Sequence, residues 1–155
     1  MWKAQSYPQA ADKIRKIIGR LLKTPGETRW NSLFDAMADL VELKEKLNPI
    51  MEALDLRKFT LEEIGFLEEY VRVSRPIAIC LDTLQGDSSS LGMVLPTIVR
   101  LQKFMKERLD ENSLQFCEPL AKYFLWDLTE RTKEFFTDED YIIGKSLYFN
   151  IECTY

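Results

Sequence analysis

The sequence predicts an all-α fold, an irregular multi-helix bundle in which residues 1–155 form a single helical domain. Apolar residues recur at spacings of three and four along most of the chain, which is the period of an amphipathic helix. Prolines and glycines fall between these periodic stretches, where helices begin and end. Strands do not alternate with helices, so a parallel α/β domain is disfavoured. Hydrophobic residues make up 46% of the chain and charged residues 30%, a balance typical of a globular domain with a core.

The first half of the chain contains two predicted helices and a break. Pro8 suits the first turn of a helix that the Thr24-Pro25-Gly26 triplet would stop. A second helix is predicted to begin close to Thr28. Asn48-Pro49 predicts a break or kink, because proline disfavours helical geometry in the residue before it, and a short turn over residues 50–54 follows. The apolar stripes are Ala10, Ile14, Ile17, Ile18 and Leu21 in the first helix, and Leu33, Phe34, Met37, Leu40 and Val41 in the second.

A capping box predicts the start of the next helix. Thr60 and Glu63 can satisfy each other's free backbone N–H groups, so a helix should run from Leu61 onward. Pro76 should bend this helix by removing an internal hydrogen bond. Residues 86–90, Gly-Asp-Ser-Ser-Ser, are the clearest loop in the chain.

Three further helical stretches are predicted after this loop. The first presents an apolar stripe of Val94, Leu95, Ile98, Leu101, Met105 and Leu109. The second spans 118–136, with Pro119 in its first turn. Acidic residues 138–140 suit the start of a short third helix, since they face the positive end of its dipole. Residues 147–155 are rich in β-favouring side chains and allow a short C-terminal strand.

Positive charge is concentrated at the N-terminus. Residues 1–30 carry seven basic side chains against Asp12 and Glu27, a net charge of +5, and since the whole chain has −4, the remainder carries −9. We therefore divide the chain into a basic N-terminal helix and loop, 1–27, and a helical core, 28–147. Nucleic-acid affinity is predicted at the basic end, through Lys13, Arg15, Lys16, Arg20 and Lys23. The alternative is that these cations are the solvated face of an ordinary amphipathic helix.

Several function classes are excluded by composition. The chain contains no histidine, so the commonest general base and zinc ligand is missing. Its three cysteines are widely separated and suggest neither a disulfide framework nor a metal pair. The glycines are scattered, without a phosphate-binding loop. We therefore predict no cofactor, no metal site and no small-molecule substrate, and a soluble intracellular protein without a membrane segment.

Two blocks resemble the hAT superfamily of transposases. The first is Thr28-Arg29-Trp30-Asn31-Ser32 with the helical pattern that follows it, similar to the fairly specific TRWNS block of the family. The second and softer block runs from residues 59–63 through Pro76 to 83–86, and then to Val94-Leu95-Pro96 and Leu101. Together with the basic helix, the resemblance covers about residues 10–145. It implies the end of a ribonuclease-H-like core followed by the family's helical insertion domain, and a nuclear location.

The resemblance also implies that this chain is not an enzyme. Family transposases cut DNA with two aspartates before the TRWNS block and a glutamate beyond the helical insertion, and the chain spans neither place. The family's upstream cysteine–histidine block, the BED-type zinc finger of many members and the C-terminal dimerisation segment are absent too. Residues 64–66 replace a frequent tryptophan, and residues 145–155 leave the pattern. The acidic pairs at 62–63, 68–69, 110–111 and 138–140 are interpreted as helix termini or solvated faces rather than a two-metal site.

Aromatic residues supply the sharpest candidate contacts. In the family, the tryptophan matching Trp30 lies close to the DNA end, and an exposed indole can stack on an unpaired base while Arg29 contacts phosphate. The alternative is that Trp30 is a core or N-cap residue. Tyr123, Phe124 and Trp126 are interpreted as packing residues, in the core or on a surface for a partner helix.

The leading hypothesis is a non-catalytic, hAT-transposase-derived helical module that contacts DNA, other transposase-like proteins or nuclear proteins. A helical protein-interaction adaptor without nucleic-acid binding, and an inert truncated remnant, are the alternatives.

Overall fold

The computed structural model describes residues 1–26, 31–86 and 90–152, and side chains as far as residue 146. In these ranges the chain is helical and contains no strand, so the all-α prediction is confirmed. The helices are α1 (Pro8–Ile18), α2 (Ser32–Glu42), α3 (Lys44–Ala53), α4 (Leu61–Gln85), α5 (Leu91–Asp110), α6 (Glu118–Thr132) and α7 (Glu139–Glu152), with short 3₁₀ helices at Ala4–Ser6 and Lys133–Phe136. The chain divides into two compact units, Met1–Arg72 and Val73–Tyr155. The single domain over residues 1–155 stays a prediction.

Helix α1 begins at Pro8, as predicted, but it ends before the Thr24-Pro25-Gly26 triplet. Gly19 adopts a left-handed conformation with φ of 78°, and its N–H donates to the Arg15 carbonyl at 2.8 Å. This is a glycine C-cap, which side chains with a Cβ adopt only at a cost. Residues 21–26 are consequently irregular, and Leu22 enters the core of the first unit from outside a helix.

The predicted break at Asn48-Pro49 is wrong, and so is the separate short turn after it, since residues 50–53 belong to the same helix; a kink at Pro49 stays a prediction. The helical ladder is interrupted at Leu43 instead, and α3 continues through Pro49 to Ala53. Packing accounts for this, because Leu47 and Ile50 are fully buried on either side of the exposed proline. Asn48 also links α3 to the segment before α4. Its side-chain amide donates to the Phe59 carbonyl at 3.2 Å, and its Oδ1 accepts from the Phe59 N–H at 2.7 Å.

The core of the first unit joins helices that are distant in sequence. Ile14 from α1 packs with residues of α2, α3 and α4 and with the irregular segment. Helix α1 lies against α3, and α2 also contacts α3. The buried members of this cluster are Ile14, Leu22, Leu40, Leu47, Ile50 and Leu67.

The start of α4 confirms the capping box. The Glu63 N–H donates to the Thr60 hydroxyl oxygen at 3.2 Å, and the Thr60 N–H donates to the Glu63 carboxylate at 2.9 Å. Helix α4 then continues past Pro76 to Gln85. Residues 87–89 of the predicted polar loop lie outside the described residues, and Ser90 precedes α5.

The second unit is organised around α5, which contacts both α6 and α7. Four predicted stripe residues of α5, Leu95, Ile98, Leu101 and Met105, are buried. Helix α6 begins with Pro119 in its first turn, as predicted, and passes into a 3₁₀ helix after Thr132. Helix α7 begins in the predicted acidic stretch, where the Asp138 carboxylate accepts the Asp140 N–H at 3.0 Å.

The allowed C-terminal strand is wrong for residues 147–152, which continue α7. The β propensity of single residues is a weak preference. Extending α7, which is already formed and anchored, adds one helical hydrogen bond for each residue, so the helix continues. The anchor is a close approach of the α7 backbone to α5, since a side chain at position 144 would place its Cβ 3.1 Å from the Gly92 nitrogen. Among the described helices, none combines the length and the apolar character needed to cross a membrane.

Candidate functional site

The residues predicted to contact DNA lie in different environments. Arg29 and Trp30 fall outside the described residues. Lys13, Arg15 and Lys16 are exposed on α1, whereas Arg20 and Lys23 belong to the segment between Gly19 and Gly26. We call this segment, residues 19–26, the connector. It leads from the basic helix toward the Thr-Arg-Trp block, so its anchoring bears directly on the predicted interface.

A buried carboxylate anchors the connector. Asp39 of α2 is 1% exposed, and its two oxygens accept hydrogen bonds from the Arg20 guanidinium at 2.5 and 3.1 Å. The Lys23 backbone N–H donates to the same carboxylate at 3.0 Å. A guanidinium bound through two nitrogens has a fixed orientation, unlike a lysine ammonium. Asp39 therefore holds both ends of the stretch 20–23 against α2.

The ionisation of Asp39 reflects this arrangement. Burial alone would raise the pKa of Asp39, but the hydrogen bonds from Arg20 and from the Lys23 N–H outweigh it, and the pKa lies below the ordinary aspartate value. The bond to Asp39 also raises the pKa of Arg20. The pair is thus charged at neutral pH, and Arg20 serves primarily as the partner of a buried acid.

Gln5 provides a second anchor for the connector. Its Oε1 accepts the Leu22 N–H at 3.0 Å, and its Nε2 donates to the Leu22 carbonyl at 3.0 Å. The same Nε2 donates to the Thr24 hydroxyl oxygen at 2.8 Å. The Gln5 amide therefore satisfies a backbone segment that has no helical or strand partner, as buried backbone groups require.

Two cations of α1 also have structural contacts. The Lys13 ammonium donates to the Ala53 carbonyl at 2.8 Å, at the negative end of α3. Arg15 forms an exposed ion pair with Asp12 at 3.5 Å. Lys16 and Lys23 extend exposed side chains. The solvated-face interpretation therefore has structural support at some positions, while Lys16 and Lys23 have the exposure that phosphate contact requires.

Asp39 and Gln5 were missed by sequence reasoning. A signal for Asp39 was present, because the residue lies among Ala36, Met37 and Leu40 on the apolar side of α2. A carboxylate on a core-facing stripe requires a buried partner. Its identity could not be read from spacing, because Arg20 is 19 positions away on a non-helical segment. Gln5 carried no comparable signal.

The acidic residues of the four groups lie mostly at helix ends or on exposed faces, but the solvated-face interpretation is wrong for Glu69, which is 6% exposed. Glu63 belongs to the capping box, and Glu68 pairs with Lys44 at 2.8 Å. Over residues 1–26, 31–86 and 90–152, no group of three or more cysteine or acidic side chains is arranged to hold a metal ion. An open cavity of about 410 Å³ lies between α3 and α4, lined by Lys44, Glu45, Asn48, Leu61, Ile64, Gly65 and Glu68.

Helix α6 presents an exposed aromatic surface. Tyr123 is 63% exposed and Trp126 is 59% exposed, and their ring centroids are 5.8 Å apart. Leu120, one turn earlier, is also exposed, whereas Ala121 and Thr132 on the opposite side are buried. The core interpretation of Tyr123 and Trp126 is therefore wrong, and Phe124 is half-buried. We call Leu120, Tyr123 and Trp126 the outer α6 patch.

Comparison of the chain with protein-family models, with curated proteins and with solved structures gave no match.

Proposed function

We propose that this chain is a non-catalytic helical module of hAT-transposase ancestry that acts in the nucleus by contacting DNA through its basic N-terminal segment. The ancestry rests on the TRWNS block and the softer second block. The DNA contact is supported by one observation above the others: Asp39 and Gln5 anchor a cationic connector that leads into Arg29 and Trp30.

Anchoring matters because a contact surface that is already ordered loses less conformational freedom on binding. The buried Asp39 and the Gln5 amide fix the connector backbone at residues 20–23. Lys16 and Lys23 are exposed near the two ends of this stretch in sequence. They can add phosphate contacts to those proposed for Arg29, while Trp30 stacks on an unpaired base.

Equilibrium binding to a labelled DNA hairpin with a single-stranded end tests the proposal. We expect affinity that falls with added salt, because bound cations release counterions from the phosphates. Trp30→Ala should weaken binding by about 1 to 3 kcal/mol through lost stacking. Arg29→Ala should lower the salt slope by about one. Lys106→Ala, an exposed cation of α5, is the matched control and should have no effect.

Binding that is insensitive to salt and to both Arg29→Ala and Trp30→Ala would contradict the DNA proposal. Cleavage of the hairpin in Mg²⁺ or Mn²⁺ by the purified chain would contradict the non-catalytic part. Non-cooperative thermal unfolding would favour the inert remnant over both functional alternatives.

The outer α6 patch favours a second candidate, a protein-interaction adaptor. Tyrosine and tryptophan are enriched at protein interfaces because they combine apolar area with a polar end. If this candidate is correct, Trp126→Ala should abolish binding to a protein partner and leave DNA binding unchanged. Ile143→Ala, an exposed apolar change on α7, is the control.

A further inference from the structure

We propose that Thr24 is a phosphorylation site for a proline-directed serine/threonine kinase with ATP as donor, and that the phosphate weakens DNA contact at the connector. The first part is independent of the proposed function. The second part rests on it.

Thr24 has the exposure and backbone that such a kinase requires. Its side chain is exposed, and residues 21–26 are outside any helix. Thr24-Pro25 is the single serine- or threonine-proline pair in the sequence. Proline disfavours helical geometry in the residue before it, so Pro25 favours the non-helical backbone found at Thr24. Entry into a kinase cleft requires the Gln5 amide to release the Thr24 hydroxyl, but it does not require a helix to unfold.

The hydrogen bond from Gln5 to Thr24 does not involve the hydroxyl proton that a kinase must remove. Gln5 Nε2 donates to the Thr24 Oγ at 2.8 Å, which occupies a lone pair of the hydroxyl oxygen. In the transfer, Oγ forms a bond to the γ-phosphorus of ATP and the bond from that phosphorus to the β-phosphate bridge breaks. ADP leaves, and the hydroxyl proton passes to the kinase's catalytic aspartate.

The phosphate would be placed among the charges that anchor the connector. It carries about −1.5 to −2 charges at neutral pH. Lys23 is the preceding residue, and its N–H donates to Asp39, which also holds Arg20. The new dianion offsets the cationic side chains of the connector and competes with DNA phosphate for Lys23. Asp39 of α2, which holds the connector, is itself an anion, and its charge is already paired with Arg20.

The modification is tested with a purified proline-directed kinase and ATP, with mass spectrometry as the readout. We expect one phosphate, located on Thr24, and none in Thr24→Val. Pro25→Ala should reduce the rate of incorporation at least tenfold, since it removes the feature the kinase selects. Circular dichroism verifies that both variants are folded. Absence of phosphate from Thr24, or equal incorporation into Pro25→Ala, would overturn the site.

Hairpin binding by the phosphorylated and unmodified chains tests the regulatory part. We expect an affinity loss of about tenfold at 0.15 M salt and a salt slope reduced by one to two. Equal affinity of the two forms overturns the regulation and leaves the DNA proposal intact. If the unmodified chain binds no hairpin, the proposed function and the regulation both fail, whereas phosphate found on Thr24 still supports the site.

Discussion

Removal of the Asp39 carboxylate should destabilise the first unit markedly. Asp39→Ala removes three hydrogen bonds, two of them to a charged partner. Hydrogen bonds to charged groups contribute about 1.5 to 3 kcal/mol each at most, and the net value is smaller where the partner can return to water. Arg20 is 44% exposed on its side chain and can do so. We therefore expect a loss of about 2 to 3 kcal/mol in the free energy of unfolding.

The reciprocal change should be more harmful. Arg20→Ala removes the guanidinium and leaves the buried Asp39 carboxylate with the hydrogen bond from the Lys23 N–H. An uncompensated buried charge costs about 3 to 5 kcal/mol, so we expect a loss of that size in the free energy of unfolding. Asp39→Asn should resemble Asp39→Ala rather than the wild type, because its amide N–H groups would face the Arg20 donors. Asp35→Asn, on the exposed side of the same helix, is the control and should cost a few tenths of a kcal/mol.

Urea unfolding followed by tryptophan fluorescence measures these changes. Trp2 packs against the core of the first unit and reports on it. For m-values of about 1 to 3 kcal/mol per molar, Asp39→Ala should lower the midpoint by about 0.7 to 3 M. A change in the free energy of unfolding no larger than that of Asp35→Asn would refute the reasoning.

The pH dependence has a defined sign. The pKa of Asp39 is lower in the folded chain than in the unfolded chain, so its stabilisation is complete above the unfolded pKa and is lost as pH falls through the folded value. The wild type should therefore lose more stability than Asp39→Asn on acidification below about pH 4. Midpoints that fall in parallel for the two chains would argue against an ionised Asp39.

Three further substitutions test the helix ends and the helix crossing. Gly144→Ala should destabilise the second unit by about 1 to 3 kcal/mol in thermal unfolding, because the new methyl would meet the Gly92 backbone at 3.1 Å. Ser146→Ala, at an exposed position two residues further along α7, is the control and should be nearly neutral. Gly19→Ala should cost about 1 kcal/mol because alanine is strained at a φ of 78°, and an unchanged melting temperature would contradict this. Thr60→Ala should cost about 1 kcal/mol and accelerate amide exchange at residues 61–64, and unaltered exchange there would show that the capping box contributes little.

Much of the helical architecture was predictable because its signals are local. The capping box at Thr60, Pro8 and Pro119 in first turns, and the stripe from Leu95 to Met105 were all read correctly from spacing. The contacts of the candidate interface were harder to predict from the sequence. Exposed cations were identified by charge, but the involvement of Arg20 with Asp39 and of Lys13 with α3 depends on residues 19 and 40 positions away.

The sequence by itself determined which stretches are helical and where several of them begin, since periodicity, caps and prolines act within a few residues. Tertiary structure decided where the chain continues through a proline, as at Pro49 between the buried Leu47 and Ile50. It also decided which charges are structural and which are exposed. A buried charge has a high free-energy cost unless an opposite charge or a hydrogen-bond donor lies beside it. That partner is the group nearest in three dimensions, and it can lie far away along the chain.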